Sequence, residues 1–327
     1  MTTQLDDSKS TLLDLARSVG ADGMPLKVVE HLSRKRPLLQ FLPWRESNES
    51  DGHLISRRRA LPSGIWKKVN QGIPKTKASQ DQHKETTGML ADSSSFDEDL
   101  IELNGGAAYR AKQELAHAEG LYNQLEEALM YENSALNAER IMGLIPRLDV
   151  LNGAWADQVV PSLISASGND QSSIIFLKPG LDTVYGIVPK GTKTGIQYRD
   201  MGLVMTPDEN GDEYPAWVGV WKWRCGLVVE DGRFVVRLCN IDTSAIARTG
   251  KLLIQSMIEA AHRLHEMEGA IILCNRTIAT YLHQQALDTS VNSTFTMAEV
   301  GGKKITHFLN MPVIQCDSLR LTESVVA

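Results

Sequence analysis

The apolar positions of this chain change rhythm along its length. From Leu100 to Leu129 they recur every three or four residues: Leu100, Leu103, Ala107, Ala111, Ala118, Leu121, Leu125 and Leu129 share a stripe with Arg110 and Glu114, the spacing of a helix. Ser93–Ser95 and Asp97 offer capping oxygens, and Glu98 and Asp99 sit where a first turn favours acids. Unbroken to Tyr131, this helix would be about 50 Å long. Asn104-Gly105-Gly106 interrupts it at a cost of about 2 kcal/mol relative to alanines, which predicts a kink or a late start.

Further along, a period of two takes over. Trp217, Trp221, Trp223, Cys225, Leu227 and Val229 form one apolar face with Lys222 and Arg224 opposite. Glu230-Asp231-Gly232 reads as a turn, and Phe234, Val236 and Leu238 alternate with Arg233 and Arg237, so the pattern predicts a long hairpin. Before it, Ser173–Leu177 and Thr183–Val188 read as short strands parted by Lys178-Pro179-Gly180. The last third reads as an α/β core. A helix from about Ser244 to Met267 closes at Gly269, and Ala270–Cys274 is a buried strand. Asn275 caps a short helix through Tyr281, and a β-rich tail runs through Phe308 and Ile314.

The first ninety residues lack such a core. Leu12, Leu13, Leu15 and Val19 suggest a short amphipathic helix, and Pro25, Pro37 and Pro43 break the next stretch into an arm. Between His53 and Met89 large apolar residues are few, among them Leu54, Ile55, Leu61, Ile65, Trp66, Val69 and Ile73. Such a ribbon cannot hold itself up, since an isolated hairpin is marginal in water. It must lean on a neighbour.

Charge sharpens this division. Residues 31–90 hold twelve lysines and arginines against five acids, a net +7, while the whole chain is −6. Residues 92–139 hold eleven acids against Arg110 and Lys112, a net −9. One copy can therefore attract the acidic body of another, or the arm can bind a polyanion. The 327 residues are 42% hydrophobic and 23% charged, ordinary values for a globular chain, with no apolar run of bilayer-spanning length. The polar start, MTTQLDDSKS, is unlike a secretory leader. Cys225, Cys239, Cys274 and Cys316 have no CxxC spacing and read as buried thiols of a cytosolic product.

Catalytic patterns are missing: there is no Gly-x-Ser-x-Gly, Walker loop, Gly-x-Gly-x-x-Gly or His-Glu-x-x-His. His262 and His265 share a helix face beside Glu266, without a third ligand nearby. Trp217, Trp221 and Trp223 suit a core before they suit base stacking. Three readings stay open at this point: a self-assembling structural protein, a nucleic-acid-binding protein using its basic arm, and an enzyme with a cryptic site.

The order of several segments adds a resemblance. Leu42-Pro43-Trp44-Arg45-Glu46-Ser47-Asn48-Glu49, Gly52-His53, Leu61-Pro62-Ser63, Asn70-Gln71-Gly72-Ile73 and Gly143-Leu144-Ile145-Pro146-Arg147 are similar to segments of major capsid proteins of short-tailed double-stranded-DNA phages. So are Trp221-Lys222-Trp223-Arg224-Cys225-Gly226-Leu227, Arg237-Leu238-Cys239-Asn240-Ile241-Asp242 and the closing Leu309-Asn310-Met311-Pro312-Val313-Ile314-Gln315-Cys316-Asp317. The match runs over most of residues 40–317.

That resemblance implies an α+β, HK97-like capsid fold. Residues 1–45 would be an N-terminal arm, 46–92 an extended E-loop, and 93–144 the spine helix of a peripheral domain. Residues 201–242 would be its long β ribbon, and 145–200 and 243–327 the two parts of an axial domain, in a rearranged connectivity. The implied function is a structural shell protein of a phage head, assembled in the host cytoplasm into hexamers and pentamers around packaged DNA. Its implied partners are other copies of itself, a cement or decoration protein, a scaffold and a portal, with no membrane and no cofactor or metal. Arg57, Arg58 and Arg59 are expected to meet acids of another subunit, with the 92–139 helix as the candidate surface. Trp66, Lys67 and Lys68 are expected to share that inter-subunit contact. Lys67, Lys68, Lys75 and Lys77 could supply an amine for the cross-link some members form, but the reading is against one.

Overall fold

The computed structural model describes residues 36–164, 170–208, 210–244, 246–287, 295–300 and 303–326. The helix expected within residues 1–20 lies outside them. In chain order the elements begin with α1 (Pro37–Phe41), β1 (Trp44–Glu46), β2 (Gly52–Ala60), β3 (Ser79–Thr86) and β4 (Gly88–Asp97). Next come α2 (Glu98–Leu103), α3 (Ala107–Tyr131), β5 (Val159–Pro161), β6 (Gln171–Leu177), β7 (Val184–Val188), β8 (Gln197–Pro207) and β9 (Glu213–Val229). The last are β10 (Val235–Asp242), α4 (Ile246–Arg263), β11 (Ile271–Cys274), α5 (Arg276–Leu287), β12 (Phe295–Val300), β13 (Lys303–Phe308) and β14 (Met311–Gln315).

The described residues fall into two compact units. The first holds 89–125 and 193–224; the second holds 36–88, 126–192 and 225–326. In the second, a sheet ordered β12-β13-β14-β11-β6-β10-β5 packs one face against α4 and α5. Ile174, Phe176, Val236, Leu238 and Ile272 meet Leu253, Met257, Ala261, Ile278 and Leu282, all buried. Leu309 and Asn310 take the left-handed conformation (φ 48° and 68°) that turns β13 into β14. Gly269 is left-handed (φ +74°) but does not close the helix as expected: α4 ends at Arg263, and Gly269 lies in the turn that leads into β11, where the Ala270 N–H donates to Met267 O.

The helical stripe breaks where the glycines sit. Asn104 ends α2, Gly105 and Gly106 adopt φ +92° and +69°, and the Gly106 N–H donates to Ile101 O at 2.9 Å. The remaining helix, α3, has 25 residues, about 38 Å at 1.5 Å per residue. Only part of the stripe is core: Leu121, Leu125 and Leu129 are buried, while Leu103 is 70% exposed.

The expected 217–238 hairpin does not form. β9 pairs antiparallel with β8 along residues 213–222 and with β7 at 226–229. β10 lies in the other sheet, between β5 and β6. Arg237 explains the misreading. Its alternation with apolar neighbours suggested a solvent face, yet it is 3% exposed and every residue of β10 is buried. Its guanidinium donates to Glu323 Oε2 at 2.9 Å, Ser173 Oγ at 3.0 Å and Leu148 O at 2.8 Å. Asn240, left-handed (φ 58°) at a bulge in β10, exchanges two hydrogen bonds with the backbone of Val326. The Arg237–Asp242 segment therefore clasps the C-terminal residues.

β1 joins the second unit by parallel pairing with β7. There Gly186 permits close approach: a Cβ on it would lie 2.5 Å from the Trp44 ring. Gly186→Ala should force Trp44 out of place and destabilise dissociated subunits by about 1–3 kcal/mol. Urea denaturation followed by tryptophan fluorescence measures it; an unchanged midpoint would show that Trp44 yields freely.

Candidate assembly surfaces

β2 and β3 form a two-stranded antiparallel ladder from Gly52↔Thr86 to Ala60↔Ser79. Between them residues 61–78 are exposed, apart from half-buried Ala78. Lys68 N–H donates to Gln71 Oε1 at 3.0 Å, Gln71 N–H returns a bond to Lys68 O at 3.1 Å, and Asn70 is left-handed (φ 65°). These local bonds shape the tip without giving it a core. Trp66 is 101% exposed, and Leu61, Val69 and Ile73 each exceed 70%.

The root of this hairpin is built differently. Glu85, 3% exposed, receives both arms of Arg147, at 2.5 Å to Oε1 and 2.8 Å to Oε2. Arg147 also donates to the carbonyls of Gly143, Met142 and Leu227 at 3.0–3.2 Å. Asn48 pairs with Leu54 through two 2.8 Å bonds, and its own N–H donates to His53 Nδ1. His53 is buried against the edge of Tyr185, and burial, with Arg45 adding to it, pushes its pKa down. Lys84 bridges Glu49 at 2.8 Å and Asp51 at 2.9 Å. Thus the Trp44–Glu49, Gly52-His53 and Gly143–Arg147 segments converge on one joint.

The six residues expected at subunit contacts separate here. Arg57 donates to the carbonyls of Glu230, at 2.9 Å, and Val229, and lies 3.9 Å from Glu85. Burial lowers its pKa, with Glu85 opposing. It is engaged within its own chain. Arg58, Trp66, Lys67 and Lys68 are exposed, whereas the Arg59 side chain lies outside the described residues. The charge pattern led to the expectation that Arg57 meets acids of another subunit; within its own chain it holds the carbonyls of Val229 and Glu230, which are far away in sequence.

Two further features went unread in the sequence. Glu126, fully buried on α3, accepts the Leu38 N–H at 3.1 Å on Oε1 and lies 3.6 Å from Cys316 Sγ. Its Oε2 has no partner among the described residues. Burial pushes its pKa up to about 7 against the Leu38 N–H, the Cys316 thiol and Arg36, with Asp317 adding to the rise. The second feature is the β8–β9 ribbon of the first unit. Tyr198 and Asp200 reach α3 by bonds from Tyr198 to Glu114 (2.7 Å) and from Arg110 to Asp200 (2.7 Å), while Trp221 stacks on His117 at 5.3 Å.

The four cysteines are free and buried. Burial pushes Cys225 and Cys274 up to about 12 and Cys239 up to about 11, so each packs as an inert thiol.

The hairpin thus joins a firmly built root to a bare tip. The chain belongs to the family of the major capsid protein GP7, whose model matches residues 20–327. It is similar to a chain in the structure of bacteriophage Epsilon15, at 26% identity and a TM-score of 0.78, covering 99% of this chain and 100% of that one. The bacteriophage JBD30 capsid is 12% identical (TM-score 0.48; 88% and 93% covered). The SrpI encapsulin of Synechococcus elongatus is 11% identical (TM-score 0.46; 71% and 96% covered). No curated protein matches. The fold is the α+β, HK97-like capsid fold, and the chain is a structural protein of the phage head rather than an enzyme.

Removing one partner of a buried ion pair strands the other, at about 3–5 kcal/mol. Arg147→Met should lose that much stability and deprotect β2 and β3 in hydrogen exchange, while Arg147→Met with Glu85→Leu should recover most of it. A double variant as unstable as the single would deny the pair its role. Glu126 makes a second expectation. Its raised pKa means the folded subunit binds the proton more tightly than the unfolded chain. Its contribution is therefore full below about pH 4.5 and is lost as pH rises to about 7. Denaturation of dissociated subunits across that window should show a slope that Glu126→Gln reduces; identical pH profiles would refute it.

Proposed function

We propose that this chain is the major shell protein of a short-tailed double-stranded-DNA phage, of the kind found in a Bordetella phage. Copies assemble into hexamers and pentamers that enclose the packaged genome. The observation that carries the reading is the 52–86 hairpin, whose root is locked into its own chain while its tip leaves a fully exposed tryptophan beside Lys67 and Lys68. Apolar surface of that kind on a projecting loop is stabilised only by another molecule.

In this reading residues 1–45 are the N-terminal arm and 46–92 the E-loop. The peripheral domain takes 93–144 and 201–242 and the axial domain takes 145–200 and 243–327, except that β10 runs within the seven-stranded sheet of the second unit and so goes with the axial part. Arg58, Trp66, Lys67 and Lys68, with Arg59, contact a neighbour, and the acidic 92–139 segment supplies the opposing charge. Arg57 acts at the root instead. Each exposed pair contributes only about 0–1 kcal/mol, so the strength lies in repetition around the shell. A cement protein, scaffold and portal complete the head, and DNA lies on its inner face.

The purified chain should form closed particles by electron microscopy that persist after nuclease treatment. Collapse to monomers with release of nucleic acid would favour a DNA-wrapping protein instead. Within such particles, Trp66→Ala with Lys67→Ala and Lys68→Ala should reduce assembly, most visibly at raised salt; unchanged assembly across a salt series counts against the tip. Hydrogen exchange should find amides 61–78 unprotected in dissociated subunits and slowed in particles. Equal exchange in both states would exclude the tip from the contact.

A further inference from the structure

β8 is an edge strand. Among the described residues its one strand partner is β9, from Gln197↔Lys222 to Pro207↔Glu213. Long bare edges invite pairing, and proteins usually blunt them with charges, prolines or bulges. β8 carries a bulge near Met201, with Gly202 at φ +78°, and a proline at its far end. Between these, Leu203, Val204 and Met205 hold a regular register and carry no charge. They are 46%, 40% and 54% exposed, and because consecutive residues face opposite ways, both faces of the strand are apolar and open.

The charges around this edge have a direction. Exposed Lys193 and Arg199 precede the apolar centre, Asp200 beside them being paired with Arg110 at 2.7 Å, and exposed Asp212 and Glu213 follow it across the turn. Asp208, in that turn, is already occupied by the N–H groups of Asn210 and Asp212 at 2.8 and 2.9 Å. Parallel addition of an identical strand would set like charge on like. Antiparallel addition sets the basic start of one copy beside the acidic end of the other, twice over.

We propose that β8 is a strand-pairing surface for a second copy of this chain, two β8 edges adding antiparallel about a two-fold axis centred on Val204. The contact is isologous, so one patch serves both partners. The inference rests on the reading of the chain as a shell subunit and names one contact by which its copies join.

Single cysteines test it in assembled particles of the full chain. The four native cysteines are buried, and residues 1–35 contain none, so a covalent dimer must come from the new thiol of each copy. Opposed residues of antiparallel strands lie about 4.5–5.5 Å apart, within disulfide reach. Val204→Cys should give covalent dimers, and no larger species, on mild oxidation and non-reducing electrophoresis, with Leu203→Cys and Met205→Cys linking less. Particles from which none of the three gives dimers would overturn the proposal while leaving the shell reading intact. Charge reversal gives a second readout. Lys193→Glu with Arg199→Glu should lose particles, and adding Asp212→Lys with Glu213→Lys should restore them. Wild-type assembly by the first pair, or no rescue by the four together, would equally refute the contact. Absence of particles from the native chain would instead refute the shell reading.

Discussion

The root of the β2–β3 hairpin depends on how Arg147 is held. A hairpin reaching out from a domain acts as a lever, and its base must resist whatever the tip encounters. The joint does this with one guanidinium shared between a carboxylate of β3 and three backbone carbonyls, including Leu227 of β9. Removing two charges from water is expensive, and such a pair rarely adds much net stability over an apolar substitute. It does add direction. Five hydrogen bonds from one planar group fix the angle at which β3 leaves the body, whereas an apolar contact would let it slide.

The same solution recurs at the other end of the chain. Arg237 and Glu323 are both nearly buried, and Tyr131 donates to the second oxygen of Glu323 at 2.6 Å. One pair anchors the loop near the start of the chain and the other anchors its last residues. In each case the arginine belongs to the sheet body or the turn beside it, while the carboxylate belongs to the segment being held. Segments with few apolar side chains are thus fastened by charge, and the hydrophobic core is reserved for β6, β10, β11 and the two helices that cover them.

This division explains what the sequence disclosed. Local signals were legible: Asn104-Gly105-Gly106 breaks the helical stripe after α2, Asn275 Oδ1 accepts the Thr277 N–H, and Lys222 and Arg224 are exposed while Trp221, Trp223 and Cys225 are buried. Long-range pairing was not. Arg237 and Arg57 looked like solvent residues because their partners lie 86 and 173 positions away. β8 went unread because almost all of it is exposed, so no buried face alternates to betray it. Glu126 passed as one more acid on an acidic helix, although it is buried beneath Leu38.

A shell subunit has to satisfy two demands that conflict within one chain. Its contacts must be specific, which calls for rigid presentation, yet they must tolerate the slightly different surroundings of different positions, which calls for compliance. The structure places these properties in different residues. Rigidity lies at the roots, where buried ion pairs accept few geometries. The tip, residues 61–78, is exposed and free of such buried pairs among the described residues, with the Lys68–Gln71 bonds shaping it locally. Moving the ion pair to the tip would make each contact strong but intolerant, and leaving the root apolar would let every loop wander.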